Sequence, residues 1–159
     1  MLENRNINVC LVSDLFENYP LSENTIVVVV DLLRATTVIS TAFNFGVKEI
    51  IPVPSLEIAK TYIDRKDFIV AAERNAMPIK GFDYGNSPFQ YMNNDILDKT
   101  LVLTTTNGTK AINIASNYEV ITSCFINIDA VEEFLLNSNK DVLILCSGWK
   151  GVFLSLIHI

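Results

Sequence analysis

TIVVVVDLLRATT, residues 25 to 37, places an apolar strand, a carboxylate, a guanidinium and two hydroxyls in immediate succession. Ile26 to Val30 is an unbroken β-branched run, the pattern of a strand buried on both faces of a parallel sheet. Asp31 therefore stands where that strand leaves the core, and Ala35 to Phe45 reads as the helix that follows, ended by Gly46. In open α/β sheets ligands bind outside the carboxyl ends of the strands. Two readings are open. In the first the segment is an anion or metal-anion site, with Arg34 clamping a phosphate or carboxylate bidentately and Asp31 holding Mg²⁺ or orienting a water. In the second Asp31 closes the strand and caps the helix.

The same alternation runs along the chain on both sides of this stretch. Ile7 to Val12, Glu49 to Val53, Phe68 to Ala71, Leu101 to Thr104, Val120 to Ser123 and Val142 to Cys146 read as further strands. Helical segments are expected at Leu56 to Ile63 after Ser55, at Thr109 to Ala115 before Asn117, and at Ala130 to Leu136, opened by the capping box DAVE at Asp129 to Glu132. Repeated βα order predicts a mostly parallel sheet with helices on both faces. The longest connection, ERNAMPIKGFDYGN at 73 to 86, ends in Ser87-Pro88-Phe89-Gln90, where a new helix is expected to start. Loops of this length in compact domains are usually functional.

At 159 residues the chain is one domain by length, long enough to bury about 70% of its unfolded surface. Half of the residues are hydrophobic, yet no run of about 18 apolar residues is present to span a bilayer. The net charge of -6, without a basic cluster, argues against nucleic acid as a partner. The polar start MLENRNINV is unlike a signal peptide, and the three cysteines, Cys10, Cys124 and Cys146, are odd in number and widely spaced, so a reducing cytoplasm is expected. His158 is the single histidine, which removes histidine-based triads and histidine-rich zinc sites.

If these strands are in place, Asp31, Glu73 with Arg74, Thr104 to Asn107, and Cys146 to Trp149 all lie just past strand ends on one edge of the sheet. Ion pairing offers another account: Glu73 and Arg74 paired at the surface with other loops, or Arg34 with Asp31. TTTNGT at 104 to 109 leaves a strand and opens a helix, so it is either an anion cradle or an ordinary Asn-Gly turn capped by threonine. Asp83, between Gly81 and Gly85, is a candidate metal ligand on what is otherwise a turn. Cys146 is not expected to act as a phosphate-loop nucleophile, because Val152 stands where such a loop carries an arginine. Trp149 either walls a pocket or packs.

Taken in order, VVVVDLLRATT, AAERNAMPIKGFDYGNSP, TTTNGTKA, FIN at 125 to 127 and CSGWKG resemble the 2-phosphosulfolactate phosphatase (ComB-like) family, over nearly the whole chain up to Gly151. The resemblance implies a three-layer α/β/α fold and a Mg²⁺-dependent phosphatase that converts 2-phospho-3-sulfolactate to 3-sulfolactate, a step associated with coenzyme M biosynthesis. The family's DxLRATT falls on Asp31, Leu33, Arg34, Ala35, Thr36 and Thr37; its GERN-like motif on Ala72, Glu73, Arg74 and Asn75; its GFDxGNSP on Gly81 to Pro88; its TTNGT on Thr105 to Thr109; and its CxGWKG on Cys146 to Gly151.

The expected site then has Asp31, Arg34 and Glu73 as catalytic residues. Arg74, Thr36, Thr37, Thr106, Asn107, Gly108, Thr109 and Gly148 are expected to bind substrate, and Asp31, Glu73 and Asp83 to hold Mg²⁺. The expected partner is a small anionic phosphorylated substrate, with a homodimer left open. Family members continue after GWKG into an acidic segment, whereas Val152 to Ile159 here is mostly apolar. A single domain at residues 1 to 159, incomplete at its C-terminus, is therefore expected, with the sheet edge beside Val142 to Cys146 partly exposed and the pocket open on the Trp149 side. Two other functions stay open: a non-catalytic anion-binding module or inactive fragment, and a haloacid-dehalogenase-like phosphatase with Asp31 as covalent nucleophile. The latter needs a second aspartate where Leu33 stands.

Overall fold

A computed structural model describes residues 5 to 154. The elements follow in the order β1 (Ile7–Cys10), β2 (Thr25–Val30), α1 (Ala35–Asn44), β3 (Glu49–Pro52), α2 (Leu56–Lys60), β4 (Phe68–Arg74), β5 (Met77–Pro78), β6 (Thr100–Thr104), α3 (Gly108–Ile114), β7 (Glu119–Ser123), α4 (Ile128–Leu136) and β8 (Asp141–Cys146). Every strand expected from the hydrophobic pattern is present. Three details differ. β4 runs on to Arg74 and folds back as the two-residue β5, so Glu73 and Arg74 belong to the strand end itself. The Ser87-Pro88 start yields one 3-10 turn, Pro88–Tyr91, because Asn93 and Asn94 begin a separate 3-10 turn three residues later. α2 stops at Lys60, one turn short of the expected end.

The strands form two four-stranded sheets rather than one, in the orders β1-β8-β2-β7 and β3-β6-β4-β5. All pairings are parallel except the β4/β5 hairpin. β2 is buried on both faces, as its β-branched run requires: Val27 and Val29 meet α3, while Ile26 and Val28 meet α4. Burial of each such valine or isoleucine contributes about 1.5–3 kcal/mol. In the second sheet Ile69, Ala71, Leu101 and Leu103 pack on α1, and Val70 and Val102 pack toward Ala59 of α2. Each sheet thus lies between helices, the α/β/α layering expected, and α1 and α3 share the layer between the two sheets.

β8 is not a sheet edge. It pairs with β1 on one side and β2 on the other, so the exposed edge expected beside Val142 to Cys146 is closed, and β1 takes the outer position. Residues 155 to 159, including His158 and most of the apolar tail, lie outside the described residues. Among the described residues no helix is long and apolar enough to cross a membrane.

Candidate active site where two sheets meet

The strand after which each helix starts explains why the site exists. α1 leaves β2 of the first sheet and packs on the second; α3 leaves β6 of the second sheet and packs on the first. Their first turns therefore begin side by side. The closest point is Ala35 against Gly108, where a Cβ on Gly108 would stand 2.4 Å from that of Ala35 and 2.6 Å from Oδ2 of Asp31. Only glycine fits this approach.

Asp31, at the end of β2, is 9% exposed and sits between the two helix starts. The backbone N–H groups of Ala35 and Gly108 and the hydroxyl of Ser147 lie around its carboxylate and favour its charged form. Arg34, not Asp31, is the N-cap residue of α1; Asp31 ties the turn through its backbone, its carbonyl accepting from the Thr36 amide at 3.1 Å. Burial, aided by the negative charge of Glu73, outweighs these donors and pushes the Asp31 carboxyl up to about 6.

Glu73, at the end of β4 and 5% exposed, is held from three sides. The Thr106 amide donates to Oε2 at 3.3 Å, the Thr106 hydroxyl donates to Oε1 at 3.1 Å, and the Ala76 amide donates to Oε1 across the β4/β5 turn. That turn carries Asn75 and Ala76 at φ 54° and 64°, the left-handed pair of a two-residue hairpin, so local backbone geometry aims a donor at Glu73. Arg74 donates to Oγ1 of Thr104 at 2.9 Å and to the carbonyl of Glu73 at 2.6 Å, fixing the strand end. Among the described residues neither Arg34 nor Arg74 forms an ion pair, so neither pairing weighed from the sequence is present.

The expected anion cradle is occupied by the protein itself. Thr106 serves Glu73, Gly108 serves Asp31, and Thr105 and Thr109 bond each other reciprocally at 3.0 and 3.1 Å. Asn107 accepts from the Lys150 amide at 3.1 Å, tying the segment after β8 to the start of α3. Thr36 accepts from the Asp31 amide and Thr37 donates to the Leu32 carbonyl, closing the β2–α1 turn. Gly148, Ser147 and Cys146 line a small cavity of about 120 Å³ beside Asp31, with Leu33 and Phe153 as apolar walls. Burial pushes the Cys146 thiol up, which suits a protonated wall residue rather than a nucleophile.

Asp83 is not part of this group. Its carboxylate accepts from the Val70 amide at 2.9 Å along the edge of β4, three residues before Glu73. A strand edge needs its amides satisfied, and Asp83 does so where β5 has not yet begun. Ser147 was missed from the sequence as a partner of Asp31. Its only signal was its position directly after an apolar strand; that β8 is the neighbour of β2 is a property of the sheet order.

A family model described as 2-phosphosulpholactate phosphatase matches residues 10–155. A probable 2-phosphosulfolactate phosphatase of Caldanaerobacter subterraneus subsp. tengcongensis is 47% identical over 132 residues, 80% of this chain and 54% of the relative. Proteins of the same description from Clostridium novyi and Clostridium tetani are 45% identical over 134 residues and 41% identical over 151 residues, covering 82% and 93% of this chain. The chain spans 57% and 64% of those two relatives, so more than a third of each lies outside the match.

Proposed function

The chain belongs to the 2-phosphosulpholactate phosphatase family, and from that membership and the buried carboxylates at the ends of β2 and β4 we propose that it carries the catalytic carboxylates of a Mg²⁺-dependent phosphomonoesterase acting on 2-phospho-3-sulfolactate. The observation that carries this reading is the pair Asp31 and Glu73, two buried carboxylates from different sheets, with the negative charge of Glu73 resisting ionisation of Asp31. Neither has a cationic partner among the described residues. Burying two like charges together is costly, and a divalent cation offsets that cost.

The donor chemistry fits Mg²⁺, which takes one or two carboxylates and completes its shell with water and substrate phosphate. Asp31 and Glu73 would hold it, while the Asp83 carboxylate is engaged by the Val70 amide. Bound there, Mg²⁺ would neutralise phosphate charge and acidify a water. The chain's own groups supply the rest. The Ala35 and Gly108 amides and the Ser147 hydroxyl favour the charged form of Asp31, and Thr106 with the Asn75–Ala76 turn orients Glu73. Arg34, the N-cap residue of α1, has a guanidinium without a hydrogen-bond partner among the described residues, which is left to clamp a phosphoryl or sulfonate group through its fork of donors. Leu33 and Phe153 wall the cavity beside Asp31 and limit water there.

Covalent catalysis by Asp31 has less support. The place of the acid two residues on is held by Leu33, an exposed aliphatic side chain. The test is release of inorganic phosphate from 2-phospho-3-sulfolactate by this chain and by the full-length Caldanaerobacter relative, after chelation and after Mg²⁺ is restored. Activity should vanish and return. Undiminished turnover in excess chelator would overturn the metal-dependent reading, and an acyl phosphate trapped on Asp31 would establish the covalent one.

A further inference from the structure

The described residues cover the α4-bearing face of the β1-β8-β2-β7 sheet over only half its width. Val142 and Ile144 of β8 lie on that face, and register places Ile7 opposite Val142 and Val9 opposite Ile144, so both β1 residues share it. Ile7 and Val9 are nonetheless 61% and 45% exposed. α4 packs through Val131 and Leu135 at the β7 and β2 side. Beside α4 runs an apolar groove of about 410 Å³, floored by Val28, Val30 and Ile144, walled by Ile128, Leu135 and Leu136, and bordered by Arg5, whose guanidinium donates to the carbonyls of Leu135 and Ser138.

Four strands about 4.8 Å apart present a face on the order of 15–19 Å across, room for two helices each about 10 Å wide. One is present. The four described helices all pack on sheets of their own chain, so a second copy has no free helix to insert. Family relatives, by contrast, have more than a third of their length outside the match. We propose that this groove is the docking site for an amphipathic helix from that outlying part of the family-length polypeptide, lying beside α4 with an aliphatic stripe on Ile144 and Val9.

The proposal is independent of the catalytic reading, and its test does not read activity. Carbene footprinting should label Ile128 and Leu136 strongly in the 159-residue chain, and the aligned positions of the full-length Caldanaerobacter relative at least fivefold less. In parallel, Ile128→Lys and Leu136→Lys should leave the melting temperature of this chain within about 2 °C, because both side chains are half exposed, whereas lysine at the aligned positions should lower that of the relative by more than 5 °C. Equal labelling in the two proteins, or equal tolerance of lysine, would overturn the proposal. So would sedimentation showing this chain as a dimer with Ile128 and Leu136 already protected, which would make a second copy the occupant.

Discussion

Asp31 is a carboxylate whose surroundings resist its charge: it is buried, it faces Glu73, and only three neutral donors oppose those effects. Asp31→Asn keeps an acceptor for the Ala35 and Gly108 amides while removing that charge. It should abolish phosphate release and yet stabilise the ion-free protein at pH 7.5 by about 1–3 kcal/mol in urea unfolding, two pKa units being worth roughly 2.7 kcal/mol. A destabilised Asn variant would show that the donors need a full carboxylate more than the site suffers from it. Arg34 calls for the opposite comparison, since its interest lies in shape rather than charge. Arg34→Lys keeps the cation and loses the planar fork, so kcat/KM should fall at least tenfold with the unfolding midpoint unchanged. Wild-type kinetics in the lysine variant would mean that Arg34 makes no bidentate contact.

The elements that position these groups are short, and two backbone positions bear most of the geometric demand. In the β4/β5 hairpin Ala76 adopts φ 64°, a conformation that costs an L-residue about 1 kcal/mol, and its amide bonds Glu73. Ala76→Gly should therefore stabilise the protein by about 0.5–1 kcal/mol without loss of activity, measurable as a higher thermal midpoint; a lower midpoint would place the cost of glycine's flexibility above the relief of strain. At the crossing of α1 and α3 the demand is steric. A methyl group on Gly108 would overlap both Ala35 and the Asp31 carboxylate, so Gly108→Ala should destabilise by about 1–3 kcal/mol and abolish activity together. An active, stable alanine variant would show that the helix starts can part without cost. Neither position stands out as strained in sequence. Asn75-Ala76 lacks the glycine that usually marks such a turn, and Gly108 reads as an ordinary Asn-Gly turn until the partner helix is in view.

For the molecule as a whole, the raised Asp31 carboxyl predicts a direction for stability against pH. The folded state holds this proton up to about pH 6 and the unfolded chain only to about pH 4, so between those values the folded state binds more protons. The contribution of Asp31 to stability is therefore largest at the acid end, declines as pH rises through that window, and stays low above it. Comparing urea unfolding of the parent and Asp31→Asn from pH 4 to 7.5 isolates this contribution, and parallel profiles for the two would remove it. Much of the architecture was legible without coordinates. A β-branched run such as Ile26 to Val30 has nowhere to go but a sheet buried on both faces, and Gly46 or Ser55 mark helix ends through local backbone chemistry, so strand positions, βα order and the clustering of Asp31, Glu73, Asn107 and Gly148 near strand ends follow from short-range physics. Which strands become neighbours does not, because apolar strands of similar length are interchangeable in the pattern and only the packing of α1 and α3 into one shared layer divides them into two sheets. That division set the rest: it brought Ser147 beside Asp31, turned the Thr106 and Gly108 donors toward the protein's own carboxylates, and left Asp83 to satisfy the edge of β4.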